Sequence, residues 1–182
     1  IKMKKKIFFL AFLLIFNSCN TTVDEKQKNH NEQKNIIKEE NELALQKAKI
    51  FLQKLHLELD DNYSLEKITE KNIEDISEIL IETEKFQLYL DGKNFKIRNF
   101  ILNDFKVAGN ITNFEESEIK KIAKELLTKL QISDEIDDFQ DYKLDNIYIQ
   151  DNIAYTIYTK GEKLLILGVN PINNEIVLLT IR

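Results

Sequence analysis

Tryptophan is missing from the 182 residues, proline and cysteine occur once each, and glycine occurs four times. So little Pro and Gly excludes collagen-like and low-complexity Pro- or Gly-rich chains. One cysteine excludes a disulfide scaffold. Arginine is also scarce: of 26 basic residues all but Arg98 and Arg182 are Lys. Bidentate recognition of phosphate and guanine leans on Arg, and the net charge is -5, so no nucleic-acid partner is expected. The 43% of hydrophobic residues is enough for a buried core, and the length fits one domain or two small ones.

The first residues read IKMKKKIFFLAFLLIFNSCN. Lys4, Lys5 and Lys6 form a positive head, and residues 7–16 form an apolar run. Met3 is the expected initiator. Ten helical residues reach only ~15 Å, about half a bilayer core, so the run reads as a signal segment and not as a membrane span. Phe16-Asn17-Ser18-Cys19 follows and resembles the lipobox of bacterial lipoproteins, in which a small residue precedes a Cys that is lipidated. Ser18 takes the small position and Cys19 the acceptor. Phe16 replaces the usual Leu, a relaxed form similar to that of spirochaetal lipoproteins. The alternative is an ordinary secretory signal with an incidental Cys. The resemblance implies a signal peptide over 1–18, acyl chains (palmitate among them) on Cys19, and a membrane as partner of that anchor. Several acyl chains hold a protein firmly where one would not. Loss of residues 1–18 leaves 22 basic and 31 acidic residues, a net charge of -9, which does not favour further contact with anionic lipid.

Residues 20–41 hold no aromatic residue and only Val23, Ile36 and Ile37 as large apolar ones. The expectation is a flexible tether over 19–41, with His30 as a solvated member of it. From Glu42 an apolar stripe at helical spacing begins: Ala44, Ala48, Phe51, Leu52 and Leu55. Strand-like runs follow at 65–69, 76–83, 86–90 and 95–102. A second helix is expected over 116–131, capped by Ser117, with Ile119, Ala123, Leu126, Leu127 and Leu130 as its stripe. An acidic connector, 134–141, leads to strands at 142–149, 153–159, 164–169 and 175–181. Asp91-Gly92 and Asn173-Asn174 mark turns, the first on the premise that Asp-Gly tolerates positive φ.

At an offset of 75, Ala44, Ala48, Lys49, Leu52, Lys54 and Leu55 fall on Ile119, Ala123, Lys124, Leu127, Lys129 and Leu130. At an offset of 77, Leu88 and Leu90 fall on Leu165 and Leu167. The expected fold class is therefore α+β, made of two repeated units, 42–104 and 115–182, joined by a linker over 105–114. Each unit would be one helix followed by a three- or four-stranded antiparallel sheet. The helix 123–130 and the strand-turn-strand 164–177, with a second copy at 88–92, resemble tandem PepSY-like modules of extracytoplasmic bacterial proteins. Asn173-Asn174 stands where those modules usually carry Asp and a Thr-Gly pair.

Chemistry is hard to place. Nucleophilic catalysis needs a base beside the nucleophile, and outside the tether His56 is the one histidine. Ser64, Ser77, Ser117 and Ser133 stand in no nucleophile motif. Asp134, Asp137, Asp138 and Asp141 offer oxygens for a cation, but lack the EF-hand order, so a solvated connector is set against a weak ion site. Tyr148, Tyr155 and Tyr158 fit either strand packing or a binding platform. The expectation is no enzyme, no cofactor, no metal site and no catalytic residue. In its place stands a lipoprotein that presents a protein-binding body to a host or envelope protein, on the surface of the outer membrane. The alternative is a periplasmic PepSY-like lipoprotein that restrains a protease or assists envelope assembly.

Overall fold

The computed structural model describes residues 23–69, 77–103, 105 and 114–182. The expected signal peptide 1–18, Cys19, and all of the 105–114 linker but its two end residues lie outside the described residues, as does the side chain of His30. One compact unit covers Glu39–Arg182.

Helix α1 runs over Val23–Lys54. It begins earlier than its apolar stripe and includes residues that the sequence reading gave to a flexible tether. Glu, Lys and Gln dominate that stretch, and these residues lose little rotamer freedom in a helix. The stripe itself is where it was expected: Ala44, Ala48, Phe51 and Leu52 are buried. Helix α2 runs over Glu116–Lys129 and buries Ile119, Ala123, Leu126 and Leu127. Its start is closed by Glu115, whose N–H donates to Glu118 Oε2 at 3.0 Å. Ser117 is inside the helix, two residues past the capping position.

Four strands separate the helices: β1 (Ser64–Thr69), β2 (Ser77–Glu82), β3 (Phe86–Asp91) and β4 (Ile97–Leu102). Four follow α2: β5 (Lys143–Gln150), β6 (Ile153–Lys160), β7 (Lys163–Asn170) and β8 (Glu175–Ile181). Each lies within about two residues of its expected place. Their assembly corrects the expectation of two units with a small sheet each. All eight form one antiparallel sheet in the order β1-β2-β3-β4-β8-β7-β6-β5.

The seam lies between β4 and β8, where Asn99, Phe100 and Ile101 pair with Thr180, Leu179 and Leu178. Thr180 Oγ1 donates to Asn99 Oδ1 at 2.9 Å across it. Two separate sheets would have left β4 and β8 as apolar edges with unpaired backbone groups. Their pairing satisfies both rows and unites the core. One buried cluster accordingly takes in Phe51 of α1, Leu127 of α2, Leu88 and Phe100 on one side of the seam, and Leu167 and Leu179 on the other. Phe51 meets Phe100 edge-on, ring centres 5.7 Å apart. Alternate strand residues, such as Phe86, Leu88 and Leu90, enter that core, while those between them, such as Tyr89, Ile101, Ile166 and Tyr155, stay half-exposed.

Candidate functional site

The C-terminal ends of the two helices meet at a cleft of about 430 Å³, a size that suits a small ligand or a short segment of chain. α1 ends in a Schellman motif. The N–H of Leu57 donates to the Leu52 carbonyl at 2.9 Å and that of His56 to the Gln53 carbonyl at 3.1 Å. His56 takes the left-handed position, φ 58°, where Gly is usual because a Cβ is strained there. α2 ends at Leu130, and Gln131 turns left-handed at φ 51°.

Each helix end is held by the other. Lys54 Nζ donates to the Leu130 carbonyl at 2.8 Å. Lys129 Nζ lies 2.9 Å from His56 Nε2. For the ammonium to donate there, Nε2 must be the unprotonated nitrogen and the ring proton must sit on Nδ1. The third wall is the β7–β8 turn. Asn173 Oδ1 accepts the Glu175 N–H at 3.1 Å and its Nδ2 donates to Glu175 Oε2 at 3.2 Å. Asn174 is left-handed at φ 57°. Buried Leu102, Leu126, Leu130 and Ile176 form the floor.

The structure thus brings His56 and Asn173-Asn174 to one place, together with Lys54, Lys129 and Glu125. The lysines and Glu125 had no signal in the sequence beyond their places at two helix ends. An apolar floor with a rim of both charges can hold an amphipathic segment. Among the described residues of the lining none carries a hydroxyl or thiol.

The acidic connector lies elsewhere, and Glu135, Asp137, Asp138 and Asp141 are engaged. It forms two short 3-10 turns, Ile132–Asp134 and Phe139–Asp141. Glu135 Oε2 accepts the Ile97 N–H at 2.8 Å, and Asp137 pairs with Lys96 at 3.0 Å. Lys160 pairs with Asp141 at 2.8 Å and with Asp138 at 3.4 Å. The Asp141 hydrogen bond, with the charge and bond of Asp138, holds the Lys160 ammonium above the ordinary lysine value. Lys96 and Lys160 meet three of these carboxylates. Among the described residues no group of three or more His, Cys, Asp or Glu is arranged to hold a metal ion.

The turn after β3 serves the fold. Asp91 Oδ1 accepts the N–H of Lys93 at 2.9 Å and of Asn94 at 3.1 Å, while Arg98 Nη2 and Nε reach Oδ2 at 2.6 and 3.2 Å. Burial acts to raise the Asp91 carboxyl; the Arg98 hydrogen bond, the two backbone N–H groups and the Arg98 charge outweigh it, and its pKa lies below the ordinary 3.8. Gly92 is not in the left-handed region, contrary to the Asp-Gly expectation; Phe95 is, at φ 57°. Glycine is needed at 92 because a Cβ would run into Ser77, whose carbonyl accepts the Gly92 N–H at 2.7 Å.

The tyrosines divide between the two faces of the sheet. Tyr148 and Tyr155 are cross-strand partners and stack with centres 4.9 Å apart at 13°. Tyr155 and Tyr158 both pack against residues of the buried cluster, and Tyr158 lies near Phe139 at 6.3 Å. They do not form one platform.

Comparison with solved structures gives an informative likeness. The fold resembles the Bacillus megaterium YpeB C-terminal domain, with a TM-score of 0.52 at 12% sequence identity, over 76% of this chain and 61% of that one. That domain is PepSY-like. The likeness extends to the fold alone, and this chain spans about three fifths of the neighbour's length. A protein of unknown function from Clostridium leptum DSM 753 matches at a TM-score of 0.30 and 15% identity, over 64% of this chain and 66% of that one, too distant to carry an argument. No family model matches the chain, and no curated protein does. Among the described residues no helix is long and apolar enough to cross a membrane.

Proposed function

We propose that this chain is a lipid-anchored, non-enzymatic module of the bacterial envelope whose PepSY-like body binds a protein. The observation that carries the reading is the likeness in fold to the YpeB C-terminal domain. The cleft between the helix ends agrees with it, since an apolar floor and a mixed-charge rim suit a segment of polypeptide. Cys19 is the proposed lipid acceptor, and a protein of the cell's own envelope, a protease or an assembly factor, is the proposed partner.

Presentation of the body on the outer face of the outer membrane, to a host protein, is the second reading. One residue favours it: Asn20 follows Cys19, where enteric bacteria carry Asp to retain lipoproteins at the inner membrane.

The full chain, extracted in mild detergent after crosslinking in cells, tests the first reading. Recovery of one envelope protein, lost when Lys129 and Glu125 are both replaced by Ala, is the expected result. Recovery only of host serum or matrix proteins would transfer the proposal to the second reading. Partition of the Cys19→Ala chain into the detergent phase as fully as the unaltered chain would overturn the anchor.

A further inference from the structure

The strand β5 ends the sheet, and among the described residues no strand lies on its outer side. Its two halves differ. In the first half the register shifts between Leu144 and Asn146, so that Asp145 bulges out, and exposed Lys143 and Asp145 add charge. A bulge with charges is a device that keeps an edge from pairing. The second half, 147–150, is regular and uncharged. It carries Tyr148 and Ile149, 38% and 40% exposed, the only consecutive pair among the described exposed large apolar residues. The opposite edge differs again, for β1 carries Glu66 and Lys67, and Lys67 pairs with Glu40 of α1 at 3.4 Å.

Which backbone groups face outward follows from the hairpin. Asp151 and Asn152 are both left-handed, φ 52° and 60°, as in a two-residue type I′ turn that closes on the pair Gln150–Ile153. Bonded and non-bonded pairs then alternate along an antiparallel ladder. Gln150 and Tyr148 bond to β6, and Ile147 and Ile149 turn their N–H and C=O groups to the outer side of β5, where no strand lies among the described residues. On the outer face Tyr148 stacks on Tyr155, and the Tyr155 ring lies against Gly168, where a Cβ would come within 3.0 Å of it. The result is a rigid aromatic step beside the open row of hydrogen-bonding groups.

We propose that residues 147–150 of β5 are a strand-addition site for an extended, proline-free segment of the partner protein, which adds a ninth strand to the sheet. Only another strand matches an alternating row of backbone donors and acceptors, and side chains on either face of that strand would meet Tyr148 and Ile149. The inference rests on the reading of the body as a protein-binding module and names a surface for it distinct from the cleft.

The probe is a short peptide of alternating Val and Thr, compared with the same peptide methylated at alternate backbone nitrogens, against the full chain in detergent. Amide exchange at Ile147 and Ile149 is expected to slow at least about tenfold on adding the first peptide and to stay unchanged with the second. Ile149→Pro removes an outward N–H without touching the β6 ladder, and it should weaken binding at least about tenfold, against less than about threefold for Ile149→Ala. Equal binding of the methylated peptide would overturn the proposal, as would peptide binding without protection at both amides. Protection that grows with protein concentration alone, with a mass of two chains, would replace the partner segment by a second copy of this chain. If Ile149→Pro still recovers the envelope protein in full, the edge is wrong and the module reading stands.

Discussion

Lys54 of α1 donates to the Leu130 carbonyl at the end of α2, 76 positions later, across 2.8 Å. The last carbonyls of a helix have no partner within it, and here a cation from the other helix supplies one, where the helix dipole also favours positive charge. Lys129, beside that end of α2, lies against the His56 ring just past the end of α1. The two lysines tie the helix ends to one another beside the cleft.

Replacing Lys54 by Met keeps most of the apolar stem and removes the donor. The expected loss is about 1–2 kcal/mol, within the range for a charge-assisted bond to a carbonyl. Urea denaturation of the two chains at neutral pH measures it, and coincident midpoints would show that the bond contributes nothing.

His56 holds a conformation that Gly adopts without strain. His56→Gly and His56→Ala both lose the Lys129 contact, yet only Ala keeps the Cβ at positive φ. The Gly chain is expected to be the more stable by roughly 1 kcal/mol. Equal thermal midpoints would mean that the left-handed cap does not persist in solution. A cleft function of the imidazole would show separately, as lost partner binding in a Gly chain of undiminished stability.

Acid acts through Asp91. Its pKa is lowered on folding, so the unfolded chain binds the proton more tightly. The stabilisation is fully present above the ordinary carboxylate value and is lost as pH falls through the lower, folded one. Asp91→Asn should therefore reduce stability at neutral pH and flatten the acid limb of the stability profile below about pH 4. A profile with an unchanged acid limb would place the acid sensitivity on other carboxylates.

The two turn glycines separate crowding from strain. Around Gly161, at φ 60°, there is open space, whereas a Cβ on Gly92 would meet Ser77. Gly161→Ala should cost about 1 kcal/mol of backbone strain, and Gly92→Ala about 2–3 kcal/mol because the β3–β4 turn must move. The reverse order in a denaturation series would contradict the close approach.

Local elements were legible in the sequence, because period-2 and helical apolar patterns report which face of each element is buried. The join between β4 and β8 was not. Nothing in residues 97–102 or 175–181 states which strand they lie beside, and two sheets of four satisfy the same alternation as one of eight. The early start of α1 escaped because helix formation by Glu, Lys and Gln leaves no stripe to read. At the cleft, His56 and Asn173-Asn174 could be picked out singly, but their meeting depends on long-range packing. The Schellman motif was hidden by His at a position where Gly would have signalled it, and Asp91-Gly92 was misjudged because close approach of Ser77 leaves no local mark.

The place of β8, last in the chain order and central in the sheet, bears on how the protein is made. While the chain is being synthesised, β1 to β4 emerge first, and the outer edge of β4 stays bare. Its natural cover, 81 positions away at the pair Asn99–Thr180, arrives last. Long-range pairings of this kind form slowly, and a bare apolar edge is a template for pairing with other chains. Between the two events that edge is exposed to pairing with whatever strand it meets first.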